Sequence, residues 1–256
     1  MGKKVAGMVY ELPLPKLTVL KEYPFRTAYK TDKEVVQLVN DVEIHGLTVP
    51  LLVTPNEEGE YGIVDGYKRK AALEVLKWKK APAIICKSSE AMATALDLHM
   101  SNRDLLPSEK ARAYAMRYKQ LRKELTLPKD ALEEVATLAH DNEKNVQKYI
   151  YLSRLTEIFL HLVDIKLMSE KSGVEISFLS TAQQLRIESY IKRNMQMLSD
   201  MKYSQELITL VHAQCLREYA EQATAEKKRL TERGFRNAIM ESRRFRRRRS
   251  ISDMCR

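Results

Sequence analysis

LEEVATLAHDNEKNVQKYIY, residues 132–151, reads as two short helices with a turn between them. Helices that cross steeply need a small residue where they meet and a branched apolar residue filling the space beside it. Ala136 meets the first need and Val146 the second. Leu132, Val135 and Leu138 or Ala139 supply the inner face of the first helix, Ile150 that of the second, and His140-Asp141-Asn142 makes the turn. Such a turn begins at positive φ, where glycine is usual; histidine is among the side chains that tolerate the region. The second helix then exposes Lys144, Asn145, Gln147, Lys148 and Tyr151. Amides can bond two atoms of a base edge and ammonium groups pair with phosphate or guanine, so this face suits a major groove. An αα-hairpin with a solvated polar face is the alternative reading of the same spacing.

Toward the N-terminus the pattern changes to mixed α/β. Lys33 to Ile44 has helical periodicity and stops at His45-Gly46. Val49–Val53 and Tyr61–Val64 are strand candidates flanking the turn Asn56-Glu57-Glu58-Gly59. A helix carrying Ala71, Ala72, Leu73, Val75 and Leu76 follows Asp65-Gly66, and Ala81–Cys86 is a third strand. In IVDGYKRKAA, residues 63–72, a strand passes through one glycine into a helix whose first turn holds Lys68, Arg69 and Lys70. Cations there oppose the helix dipole, and a bound phosphate would remove the conflict. A solvent-screened basic surface explains the same residues.

Toward the C-terminus strand signals vanish. Pro107-Ser108-Glu109 opens a long helix to about Leu125, with proline in the first turn. Helical periodicity resumes at Ala131–Ala139, Glu143–Leu155, Glu157–Met168, Thr181–Leu198 and Ser204–Glu241. Leu207, Ile208, Leu210, Val211 and Leu216 could serve a dimer or an ordinary core helix.

The 256 residues carry 44 Lys and Arg against 34 Asp and Glu, a formal charge of +10, which favours a polyanionic partner. Much of that excess is one tail cluster, Arg243, Arg244 and Arg246 to Arg249, which suits either salt-sensitive DNA affinity or a solubilising end. Cys86, Cys215 and Cys255 are scattered, without the spacing of a zinc site or disulfide framework, so no metal ligand is assigned. No apolar run approaches the ~20 residues that span a bilayer, and residues 1–14 lack the apolar region of a signal peptide. The expected location is cytoplasmic, with no membrane partner.

The phosphate turn and the helix pair, in this order, resemble the ParB partition family. Its first box looks like Tyr23-Pro24-Phe25-Arg26 followed by Ile44 to Val53, and its second is similar to Gly66-Tyr67-Lys68-Arg69-Lys70-Ala71. A third stretch, Asp104 to Ala111, resembles the start of the family's helical domain. The resemblance implies an α+β ParB/sulfiredoxin-like domain, then an all-α helix-turn-helix domain and a helical C-terminal segment. The expected boundaries are 1–20 for an N-terminal extension, 21–103, 104–180, 181–241, and 242–256 for a basic flexible tail.

The resemblance further implies a dimeric, site-specific binder of double-stranded DNA, nucleoid- or plasmid-associated, gated by CTP and served by a partition ATPase. Gly66, Tyr67, Lys68 and Arg69 would contact nucleotide phosphates, and Gly46, Leu47 and Thr48 would lie near the base. The family's Glu-Asn-x-x-Arg box falls at Leu98-His99-Met100-Ser101-Asn102, with Arg103 one place displaced and no acid for the missing Glu. Mg2+-dependent turnover is therefore not expected, and the chain is at most a weak CTPase. A transcriptional repressor on the same scaffold is a second reading. A small-molecule kinase, with Asp65 or Asp97 as base, is a third. Sulfiredoxin chemistry needs a cysteine at the phosphate turn, which Gly66-Tyr67-Lys68-Arg69 lacks.

Overall fold

A computed structural model describes residues 8–102, 104–125, 127–194 and 207–240. The chain divides into two compact units, one built on residues 1–105 with the short pieces 119–126 and 137–140, the other on the remaining helical segments. The α+β unit followed by helices is the fold class expected from the sequence.

The first unit is a five-stranded mixed sheet in the order β1-β5-β3-β4-β2. Its strands are β1 (Val9–Pro13), β2 (Leu17–Val19), β3 (Leu51–Pro55), β4 (Tyr61–Asp65) and β5 (Lys80–Ile85), with helices α1 (Lys33–His45), α2 (Tyr67–Val75) and α3 (Ser88–His99). β3 and β4 form the antiparallel hairpin that Asn56–Gly59 announces, Asn56 Oδ1 accepting from the Glu58 and Glu60 amides. Alternation along the strands serves two faces. Leu51, Val53 and Ile63 point to a core shared with Val42 of α1 and Leu73 of α2. Val64 points the other way, against Ala91 and Ala95 of α3. Consecutive buried residues therefore mark a sheet covered on both sides.

Residues 9–19, expected as part of an extension, instead supply both sheet edges. β1 pairs antiparallel with β5, Val9 opposite Ile84, and β2 pairs parallel with β4, Leu17 opposite Tyr61. The strands are short, and β1 ends at Pro13 before a single 3-10 turn, Leu14–Lys16, so the two-residue period never runs long enough to read.

The helices that follow are α4 (Pro107–Glu124), α5 (Pro128–Leu138), α6 (Glu143–Leu152), α7 (Glu157–Asp164), α8 (Glu170–Ser177), α9 (Thr181–Arg193) and α10 (Leu210–Ala225), and residues 232–240 are again helical; all belong to the second unit except residues 119–124 of α4 and 137–138 of α5. At the start of α4, Glu109 accepts from the Leu106 amide, while Asp164 accepts from both the Ser108 amide and hydroxyl. Gly173 lets α8 sit close: a Cβ there would lie 2.6 Å from Leu152 Cδ2. The expected helix over Ser204–Glu241 is two helices, because Lys227 turns to φ 54 and the Lys228 amide bonds back to Ala223. Leu207, Ile208 and Leu216 are buried in this unit's own core. The arginine cluster and the C-terminal part of the expected Thr181–Leu198 helix lie outside the described residues.

Candidate nucleic-acid interface and phosphate turn

α5 ends in the geometry its sequence needs. His140 stands at φ 50; its amide bonds to the Thr137 carbonyl at 3.2 Å and the Asp141 amide to Ala136 at 2.9 Å. This is a Schellman closure with histidine where glycine is usual. Asn142 then caps α6, its Oδ1 accepting from the Asn145 amide at 2.9 Å. Ala136 and Val146 are buried as the crossing requires, and Val135, Tyr149 and Leu152 complete the inner face. Ile150 is only half-buried; Tyr149 takes the central place expected for it.

The predicted reading residues separate into two sets. Asp141 Oδ1 accepts from Asn145 Nδ2 at 2.9 Å, and Lys148 donates to Asn145 Oδ1 at 3.3 Å. Lys148 also pairs with Glu170 at 2.5 Å and lies over the Tyr149 ring, whose hydroxyl donates to the same carboxylate at 2.8 Å. Burial, then Glu170, pushes the Tyr149 phenol well above its ordinary range, so it stays a donor. Asn145 and Lys148 are thus tied into the unit. Lys144 and Gln147 are exposed and Tyr151 is half-exposed. Arg154, not singled out in the sequence, joins that outer row: its guanidinium carbon lies 4.9 Å from the centre of the Tyr151 ring.

In the first unit, β4 passes through Gly66, at φ 111 and ψ 26, into α2, which no side chain caps and whose first turn holds no acid. A Cβ at Gly66 would lie 2.7 Å from Leu51 Cδ2, so glycine is required by space as well as by φ. The β3–β4 register shifts between Leu52 and Val53, just before the turn, as bulges beside functional sites often do. Gly46, at φ 73, caps α1; Leu47 packs on the core and Thr48 is exposed.

The cations at this turn have partners. Arg69 donates to the Val49 and Pro50 carbonyls and to Asp65 Oδ2, the last at 2.6 Å. Lys68 pairs with Glu34, and Lys70 with Glu74 at 2.6 Å. Tyr67 turns inward, its hydroxyl accepting from the Leu20 amide and donating to the Ile63 carbonyl, and burial pushes it to about 12. His99, in the degenerate third box, packs edge-on to Tyr23 and Phe25 with Nε2 3.6 Å from Asp65, too long for a hydrogen bond. Burial pushes its imidazole below the ordinary value, against the raising effects of Asp65 and the Val64 backbone. Arg103 lies outside the described residues. An open cleft of about 500 Å³ is lined by Leu14, Pro15, Lys70, Glu74, Trp78 and Lys79, none of them in the predicted nucleotide set.

At the turn Lys68 is the exposed cation, whereas Arg69 and Tyr67 hold the turn's shape. Among the described residues, no cluster of three His, Cys, Asp or Glu side chains is placed to hold a metal, and no helix is long and apolar enough to cross a membrane.

A two-faced mixed sheet with a glycine turn between β4 and α2, followed by a capped helix-turn-helix, defines an α+β domain followed by an all-α domain. Residues 2–101 match the model of the ParB N-terminal domain family. The chain is 30% identical over 178 residues to a nucleoid occlusion protein of Listeria monocytogenes, a match covering 69% of this chain and 60% of that one. With the nucleoid occlusion protein of Bacillus pumilus it shares 33% over 110 residues, 42% of this chain and 37% of the relative. The chain thus spans less than two thirds of the length of these curated relatives. It is also similar to the C-terminally truncated chromosome-partitioning protein ParB of Caulobacter crescentus complexed to the centromeric parS site (TM-score 0.44, 17% identity, 92% of this chain and 99% of that one). The same Caulobacter protein complexed with CTP-gamma-S gives a TM-score of 0.33 at 21% identity, over 71% of this chain and 99% of that one.

Proposed function

We propose that this chain is a site-specific DNA-binding protein of the partition type, in which α6 enters the major groove and the Gly66 turn receives the phosphates of a nucleotide. The outward row Lys144, Gln147 and Tyr151 on a helix fixed by a Schellman closure and an Asn142 cap carries the reading. A solvated hairpin needs no such precision. The nucleotide is the CTP of the family resemblance, bound through the α2 backbone and Lys68, with the 46–48 loop toward the base; turnover is not part of the proposal. The full reading includes a homodimer and, for partition, an ATPase partner. Since Leu207, Ile208 and Leu216 lie in the subunit's own core, dimerisation would use other residues.

Fluorescence anisotropy on duplexes enriched from a random library tests the main claim. We expect one sequence class bound about 1,000-fold tighter than scrambled DNA. Replacing Lys144 and Gln147 by Ala should abolish that preference, while Lys148→Met, whose charge Glu170 already meets, should leave the salt slope unchanged. Equal affinity for every duplex rejects the proposal. Labelled CTP, titrated against the protein and its Lys68→Ala variant, tests the nucleotide arm separately.

A further inference from the structure

We infer that Arg154, two residues beyond α6, is a specificity-determining contact of this DNA interface, and that buried Gln184 sets its position. The inference rests on the DNA-binding reading just proposed.

The helical path does not stop at Leu152. The Arg154 amide bonds to the Tyr151 carbonyl and the Leu155 amide to Leu152, each at 3.0 Å, so residues 153–155 continue as one tight turn. Arg154 therefore follows Gln147 by seven residues, as Tyr151 follows Lys144, and falls on the same side of the helix. Its guanidinium stacks on the Tyr151 ring, which packs against Phe178 with ring centres 5.3 Å apart. Stacking fixes the plane of a guanidinium and leaves its rim donors open. Among the described residues no carboxylate pairs with Arg154, in contrast to Lys148 with Glu170 and Arg217 with Glu175.

The main chain beneath it is held from inside. Gln184 is 0% exposed. Its Nε2 donates to the Arg154 carbonyl at 3.1 Å and to Leu179 at 3.0 Å, and its Oε1 accepts from the Thr156 amide at 3.0 Å. A buried amide is costly unless satisfied, and this one is satisfied mainly by fixing the backbone on both sides of residue 155. A planar, unpaired guanidinium held at a set height is what bidentate recognition of guanine requires.

The test uses the full chain and its enriched duplexes. Arg154→Ala should weaken the best duplex about tenfold or more while changing scrambled DNA little, and should erase the preference at one base pair. Arg154→Lys keeps the charge but not the fork, and should lose the same preference with the salt slope unchanged. Gln184→Glu, with its fold checked by circular dichroism, should blur that same position. An Arg154→Ala protein with unaltered preferences overturns the inference and leaves the DNA-binding reading standing. So does one weakened equally on every duplex with the salt slope reduced by about one, the signature of a phosphate contact. Failure to enrich any sequence overturns both.

Discussion

Arg69 and Lys148 are conspicuous in the sequence as basic residues in suggestive places, and the fold answers both charges internally. Arg69 meets Asp65 and two carbonyls, and Lys148 meets Glu170. The local pattern could not show this, because the Val49, Pro50 and Glu170 partners are remote in sequence. Gly66 was legible, since a strand passing directly into a helix demands it. Gly66→Ala should destabilise the first unit by about 1–3 kcal/mol, from the left-handed backbone and the contact with Leu51, as measured by chemical denaturation; an unchanged midpoint would refute the geometry. His99 was named only as part of a degenerate box, although its buried imidazole gives a pH signature. The unfolded chain binds that proton more readily than the folded one. Stability should therefore be intact above the ordinary histidine value of about 6.5 and decline as pH falls from there toward the lower folded value. His99→Gln should flatten that decline in thermal melts between about pH 7 and 5.

Element ends were harder to read than element cores. Helix stops at Lys77, His140, Lys166 and Lys227 all use a left-handed residue that is not glycine. At Lys166 the bonds Lys166 to Val163 and Leu167 to Leu162 repeat the pattern of His140. A lysine inside a polar run announces nothing, so periodicity alone extends α7 to Met168 and joins α10 to the following helix. The two short edge strands escaped for the matching reason, too few residues to show a period. Lys166→Gly and Lys227→Gly should each raise stability by about 0.5–1 kcal/mol, because glycine relieves the left-handed strain while losing part of the gain to its freer unfolded chain. Higher denaturation midpoints would confirm it, and lower ones would mean the lysine side chains contribute more than their backbones cost.

For the whole molecule, the order of the boxes decided the reading: a phosphate turn, then a helical start at Pro107, then the helix pair. None of these alone is specific. Together they point to the fold the chain adopts and agree with the ParB N-terminal domain match over residues 2–101. The division of labour on the α6 face is hidden in the sequence, since it depends on Glu170 and Gln184, which no local pattern marks. The strand order carries a consequence of its own. The ribosome releases Val9–Pro13 long before Lys80–Ile85, its hydrogen-bonded neighbour, so one margin of the sheet must wait, solvated, for a partner still being translated. Closing that gap is slow compared with winding α5 and α6, whose contacts are local. In refolding followed by pulsed amide exchange, the α5 and α6 amides should gain protection first and those of β1 last.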